Sequence, residues 1–193
     1  MSTSFLRLGF SGLVTLSLAF SGIVIHGMDQ ADRKLSRASF AQPLTQASDS
    51  QTLESQASDQ SQILRLTEEW FSSWSPGKGA IDWDKMGRFF AQSPEQLLVF
   101  DDAGGSVVVL NSWDEYRNTW EPFMTKFTQW GIEPEGEIRV LVDGNLATTA
   151  FTLSGGGIDH EGNSVDFRQR GTHVWRRING HWMIVHEHLT TDS

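Results

Sequence analysis

The sequence of 193 residues predicts an α+β domain, with three helices from the N-terminal half packed on a strongly curved antiparallel sheet of about six strands. Two observations support this fold class. Amphipathic segments with helix start signals come first, and long β-rich segments separated by turn residues follow. The strongest turn signal is Asn179-Gly180, because both residues tolerate the positive φ that tight hairpin turns require. We therefore expect a β-hairpin at this point.

The three helices are predicted from periodicity and capping. The first begins near Gln62 and ends before Pro76. Asp82 is expected to cap a second, shorter helix, and Ser112 with Glu115 forms a capping box that starts the third. The apolar residues at helical spacing in the first helix are Ile63, Leu66, Trp70, Phe71 and Trp74.

The strands are predicted from β-rich segments between turns. Two short strands are expected over 97–101 and 106–110, and four long ones over 128–142, 146–154, 165–177 and 181–189. A sheet this long, beside apolar helix faces, is expected to curl around the helices and leave a pocket at its open end.

The N-terminal part of the chain differs from the predicted domain, which spans 62–193. Arg7 precedes an uncharged apolar run over 8–25, which is typical of a signal peptide or a signal anchor over 1–34. Residues 35–61 are rich in Ser, Gln and Ala and predict a disordered linker. We therefore expect an exported domain, in a periplasmic or other extracytoplasmic space or anchored to the membrane by the N-terminal segment alone.

Composition excludes several classes of partner and site. The chain has no cysteine, which excludes disulfides, thiolate metal sites and a cysteine nucleophile. A formal net charge of −9 with scattered basic residues argues against nucleic-acid binding.

The two faces of the predicted C-terminal hairpin carry different sets of side chains. A three-residue loop over 178–180 would place one set on the first face: His173, Trp175, Val185, Glu187 and Leu189. The other face would carry Thr172, Val174, Trp182, Ile184, His186 and His188. On that face, Trp182, Ile184, His186 and His188 resemble an interface, so we expect a homodimer through the outer sheet face.

The order of elements and the pattern from Thr172-His173-Val174-Trp175 to His186-Glu187-His188-Leu189-Thr190 resemble the nuclear-transport-factor-2-like superfamily. This superfamily includes SnoaL-like domains, ketosteroid isomerases and the association domain of calcium/calmodulin-dependent kinase II. The resemblance covers about 62–190 and implies a cone-shaped fold. It implies less about function, because the superfamily places isomerases, dehydratases and oligomerisation domains on one scaffold.

The resemblance also suggests site residues. Asp102, with Asp101 as the neighbouring possibility, lies where ketosteroid isomerases have their general base, whereas their oxyanion-hole positions hold Trp70 and Gln169 here. The arginine positions of the kinase association domain hold Thr152, His173 and Leu189. Neither a steroid isomerase nor a binder of anions is therefore indicated.

The resemblances to ketosteroid isomerases and to the kinase association domain both imply that His173 and Glu187 lie on inward faces of adjacent strands. In the expected register His173 faces Val185, and Glu187 lies one diagonal step away, within side-chain reach. A carboxylate on one imidazole nitrogen would make His173 a general base near neutral pH. The alternative is a buried pair in which the two side chains only satisfy each other's hydrogen-bonding groups and have no catalytic role.

The remaining expectations concern the ligand. His186 and His188 share a strand face, but the neighbouring strand offers no third ligand, so no metal and no cofactor is expected. The expected ligand is an apolar or aromatic small molecule. The candidate catalytic residues are His173, Glu187 and Asp102, and the candidate ligand-binding residues are Trp70, Tyr116, Trp120, Gln169, Trp175 and Leu189.

Two functions follow from this reading. The first is a cofactor-free acid/base enzyme or small-molecule binder of the SnoaL-like kind. The second is a non-catalytic homodimerisation or interaction module.

Overall fold

The structure, a computed structural model, describes residues 45–102 and 105–192, with side chains described from residue 54 onward. The described residues belong to one compact unit. The predicted signal segment over 1–34 lies outside the described residues. Within the described part, no helix is both long enough and apolar enough to cross a membrane.

Three α-helices are present in the part of the chain that the structure describes, as predicted. They are α1 (Thr45–Ser73), α2 (Trp83–Met86, followed by a 3-10 helix over Gly87–Phe89) and α3 (Trp113–Met124). Asp82 accepts the N–H of Lys85 at the start of α2. Ser112 accepts the N–H of Glu115, whose carboxylate accepts the N–H of Asn111, so α3 begins at the predicted cap.

The first helix differs from the prediction at its N-terminal end. Residues 45–61, expected to belong to a disordered linker, are helical. Tertiary contacts hold this extension: Asp59 pairs with Arg177, and the Gln60 side chain donates to the carbonyl of Val140 at 3.1 Å. Local composition gives little sign of such contacts, because their partners lie far away in the sequence.

Six strands form one sheet: β1 (Leu98–Asp101), β2 (Val108–Leu110), β3 (Phe127–Asp143), β4 (Leu146–Asp159), β5 (Ser164–Ile178) and β6 (His181–Thr191). Their order across the sheet is β2-β1-β6-β5-β4-β3. The α+β class is confirmed. One detail differs, because β1 runs parallel to β6 while the other neighbouring strands are antiparallel.

The hairpin between β5 and β6 has a two-residue turn and a β-bulge, which the sequence analysis did not predict. Ile178 pairs with His181, and Asn179 and Gly180 adopt φ values of 51° and 83°. The register then shifts: Trp175 pairs with Ile184 but Val174 pairs with His186, which leaves Val185 as the extra residue. The predicted three-residue loop is wrong.

Because of the bulge, the predicted set of outer-face residues is partly wrong. A bulge changes which residues share a face, so Trp182 and Ile184 lie on the same face as Glu187 and Leu189. Trp182 is 4% exposed and Ile184 is fully buried. The segment after the 3-10 helix lies beside Ile184, since Ala91 donates its N–H to the Ile184 carbonyl. These two residues are part of the core, and only His186 and His188 remain on the outer face.

α1 packs against the sheet, and the absence of a side chain at Gly171 allows close packing there. A Cβ atom at Gly171 would lie 2.1 Å from the Phe151 ring and 2.8 Å from Leu189. Phe151 in turn packs on Trp70 and Phe71 of α1. The glycine therefore lets an aromatic ring lie across the middle of the sheet.

Candidate functional site

A cavity of about 470 Å³ opens between α1, α3 and the concave face of the sheet, a volume within the usual range for small-molecule sites. Its lining comes from both helices, from the segment after β1 and from strands β3 to β6. The lining residues are Trp70, Trp74, Asp101, Asp102, Gly105, Val107, Trp120, Phe123, Met124, Trp130, Ile132, Leu153, Val165, Phe167, Gln169, Leu189, Thr191 and Asp192.

Aromatic rings form most of the apolar wall. Trp120 and Phe123 of α3 meet edge to face, Phe123 contacts Trp130 in the same way, and Trp130 stacks on Phe167 at 5.3 Å. The indole nitrogens of Trp70, Trp74, Trp120 and Trp130 are all buried. The accessible surface of these rings is therefore carbon.

The polar end of the cavity is acidic. Asp101 is 4% exposed, and the Gln169 amide donates to it at 3.2 Å. Asp102 accepts two bonds of 2.6 Å from Thr191, one from its backbone N–H and one from its hydroxyl. These bonds fix both carboxylates at the end of β1, where the parallel pairing with β6 brings Asp101 beside Leu189.

His173 and Glu187 meet as the sequence predicts, and more directly. They are register partners on β5 and β6, with His173 Nε2 3.2 Å from Glu187 Oε2 and both side chains fully buried. The distance is that of an ion pair, although neither imidazole nitrogen meets hydrogen-bond geometry. Tyr116 of α3 donates its hydroxyl to the other Glu187 oxygen at 3.1 Å.

This buried cluster of Tyr116, His173 and Glu187 does not line the cavity. The ring of Trp70 contacts that of His173 at 4.7 Å and also lines the cavity, so it packs against both. Burial raises the pKa of the Tyr116 hydroxyl well above its usual value, and the charges of Glu187 and Asp101 raise it further. Tyr116 is therefore a neutral hydrogen-bond donor.

The structure divides the predicted site residues into two groups. Five line the cavity: Trp70, Asp102, Trp120, Gln169 and Leu189. Four lie outside it, in the buried core: Tyr116, His173, Trp175 and Glu187. Trp175 is fully buried, and its indole N–H donates to Thr149. His173 and Glu187 do not line this cavity, so a molecule bound there would not contact them directly.

Several lining residues were missing from the predicted set, and some had a usable signal. Phe123 and Met124 follow Trp120 at helical spacing on the predicted inner face of α3. Val165 and Phe167 precede Gln169 in steps of two, which places them on the same strand face. Trp130 had no such signal, because β3 carries irregular pairing near its start.

Among the residues that the structure describes, no three His, Asp or Glu side chains are arranged to hold a metal ion. His186 and His188 lie on the outer face, where the ring of Phe100 contacts both.

Comparison with known families identifies the domain family. The family model described as SnoaL-like domain matches residues 63–191, which is more than half of the chain. The chain belongs to the SnoaL-like domain family. No curated protein matches it in sequence.

Several solved structures share the fold of this SnoaL-like domain. One is a superfamily protein from Salmonella enterica, with 18% identity over 74% of this chain and 94% of that chain and a TM-score of 0.56. Another, from Pseudomonas putida and of unknown function, has 21% identity over 69% and 87%, with a TM-score of 0.56. The association domain of C. elegans CaMKII has 18% identity over 72% and 99%, with a TM-score of 0.51. At these identities the similarity is one of fold.

Proposed function

We propose that this SnoaL-like domain binds an apolar or aromatic small molecule in the cavity between α1, α3 and the sheet. The observation that carries the proposal is the cavity itself: about 470 Å³ of space, walled by aromatic carbon, with hydrogen-bonded carboxylates at one end. A stable core has no need for such a space, because voids in well-packed interiors are destabilising.

Asp102 is the residue proposed to act on the bound molecule. It lines the cavity, whereas His173 and Glu187 do not. If the bound molecule undergoes proton transfer, Asp102 is the proposed base, with Asp101 as its neighbour in the same wall. Gln169 positions Asp101 through its amide.

A binding experiment with a cavity-filling variant tests the proposal. The probe is N-phenyl-1-naphthylamine, a neutral apolar fluorophore whose emission rises when it leaves water. Ile132 lines the cavity, and an Ile132→Trp side chain is expected to occupy part of it and weaken probe binding at least tenfold. Ile138→Trp is the matched control, since Ile138 is a partly buried residue of the same strand outside the cavity.

Equal probe binding by the original chain and by both variants would place the probe elsewhere and contradict the proposal. Failure of the original chain to bind this probe or any apolar molecule of similar size would contradict it as well. Circular dichroism and thermal unfolding establish that each variant is folded before binding is compared.

Self-association is a second candidate function, because the fold is shared with the association domain of C. elegans CaMKII and with the S. rosetta CaMKII hub. The proposed surface is the outer face of β5, β6 and β1, where Phe100, Val174, His186 and His188 lie. It replaces the predicted surface, since Trp182 and Ile184 are buried within the protomer.

Sedimentation of the chain over a range of concentrations tests this second candidate. A Val174→Glu variant is expected to weaken any dimer, because it places a charge in the proposed surface. Leu141→Glu is the control, on an exposed residue of the edge strand β3. A chain that stays monomeric at high concentration would contradict the candidate.

Export is proposed for the full chain on the pattern of residues 1–34. Arg7 followed by the uncharged run over 8–25 supports it. Fractionation of cells producing the full chain, beside a chain that lacks residues 1–34, tests the proposal. Loss of export only in the shortened chain is the expected result, and identical distribution of both would contradict it.

A further inference from the structure

The charges around the cavity restrict its ligand further. Aspartates are the charged residues that line the cavity, and none of its lining residues is Lys, Arg or His. Asp192 is neutralised by ion pairs with Arg168 and Arg170, which do not line the cavity. Asp102 is held by the two donors of Thr191, both of which are uncharged. A negative potential therefore remains at the polar end of the cavity.

The aromatic part of the cavity wall also favours a positively charged ligand. The π faces of aromatic rings carry negative electrostatic potential and attract cations, and tryptophan does so most strongly. Four tryptophans and two phenylalanines line the cavity: Trp70, Trp74, Trp120, Trp130, Phe123 and Phe167. Their buried indole nitrogens leave carbon surfaces facing the space, so these tryptophans do not present N–H donors to an anion.

An anionic ligand would lack any cationic partner in this cavity and would face carboxylates. A neutral apolar ligand would fill the aromatic part and leave the acidic end in water. A cation attached to an apolar or aromatic body satisfies both ends, with its charge near Asp102 and its carbon atoms against the rings.

We propose that the ligand class is an organic cation, a hydrophobic amine or quaternary ammonium compound, bound between the aromatic wall and Asp102. This rests on the proposed function, since it names the ligand class of that cavity. A formal net charge of −9 for the chain adds a long-range attraction for such cations.

Three probes of matched size and shape separate the charge classes. They are benzyltrimethylammonium, its neutral isostere neopentylbenzene, and the anion phenylmethanesulfonate. Binding is followed through tryptophan fluorescence, because four tryptophans line the cavity. We expect the cation to bind at least tenfold more tightly than the neutral isostere and the anion not to bind. Raising the salt concentration is expected to weaken binding of the cation and to leave binding of the neutral isostere unchanged.

Variants assign the preference to the cavity. Asp102→Asn keeps the shape of the side chain and removes its charge. It is expected to weaken binding of the cation about tenfold and to leave binding of the neutral isostere unchanged. Asp143→Asn is the matched control, since Asp143 is exposed at the end of β3 and does not line the cavity. It is expected to change neither probe.

The outcomes distinguish the two proposals. Equal or tighter binding of the neutral isostere would overturn the cation proposal and leave small-molecule binding intact. Tighter binding of the anion would do the same. Absence of binding by all three probes and by the neutral fluorophore would overturn both. The comparison of probes on the original chain needs no variant, so a misfolded Asp102→Asn protein would not prevent a decision.

Discussion

His173 Nε2 lies 3.2 Å from Glu187 Oε2, and both side chains are fully buried outside the cavity. Both side chains therefore belong to the core and not to the wall of the cavity. Removing one partner of a buried pair leaves the other without compensation, so Glu187→Ala is expected to lower the free energy of unfolding by about 3 kcal/mol or more. Glu137→Ala, on an exposed residue, is expected to change it by less than about 0.5 kcal/mol. Urea unfolding measures both, and an unchanged midpoint for Glu187→Ala would contradict this role.

Tyr116 offers a direct test of the buried cluster, because it is the single tyrosine of the chain. Its raised pKa means that the folded state holds the hydroxyl proton more tightly than the unfolded state does. The stability that this provides is complete below the unfolded value of about 10 and is lost as the pH rises above it. We expect tyrosinate absorbance to appear only together with alkaline unfolding. Ionisation near pH 10 with native circular dichroism would contradict the buried placement, and the urea-unfolded chain is the control.

The N-terminal extension of α1 is predicted to contribute to stability. A chain that begins at Gln62 loses the Asp59–Arg177 ion pair and the bond from Gln60 to Val140. Each interaction is partly buried, so the loss is expected to be about 1–2 kcal/mol in total. A chain that begins at Thr45 keeps both contacts and is the control. Identical melting temperatures for the two shortened chains would show that the extension contributes nothing.

Gly171 is predicted to be intolerant of a side chain. Gly171→Ala would bring a methyl group against Phe151 and is expected to cost about 1–3 kcal/mol. A second substitution, Phe151→Leu, removes part of the ring and is expected to recover some of this loss in the double variant, which a double-mutant cycle measures. Strictly additive losses would mean that the two residues do not compete for space.

Local signals explain most of what the sequence predicts correctly. The caps at Asp82 and Ser112 act within one helical turn, and the Asn179-Gly180 turn acts between neighbouring residues, so composition alone is enough to find them. The adjacency of His173 and Glu187 followed from the same hairpin.

Non-local effects explain the errors. The bulge at Val185 lies within a continuous apolar run, Met183-Ile184-Val185. Such a run has no alternation of apolar and polar residues, so it does not show on which face of the sheet Trp182 and Ile184 lie. The parallel pairing of β1 with β6 and the docking of Asp59 on Arg177 join distant segments.

The site was predicted in part for a similar reason. The polar end at Asp102 and Gln169 was found, because superfamily resemblance supplied the strand faces. Which inward residues face space and which are sealed in the core depends on how the helices fill the concave sheet. Trp70 packs on the His173 ring, and this separates the two groups.

The bulge at Val185 also affects how this strand can change length. Deletion of Val185 would leave β6 in strict alternation, with Trp182, Ile184, Glu187 and Leu189 still on one face and His186 and His188 still on the other. A one-residue deletion in β6 is therefore expected to be best tolerated at Val185.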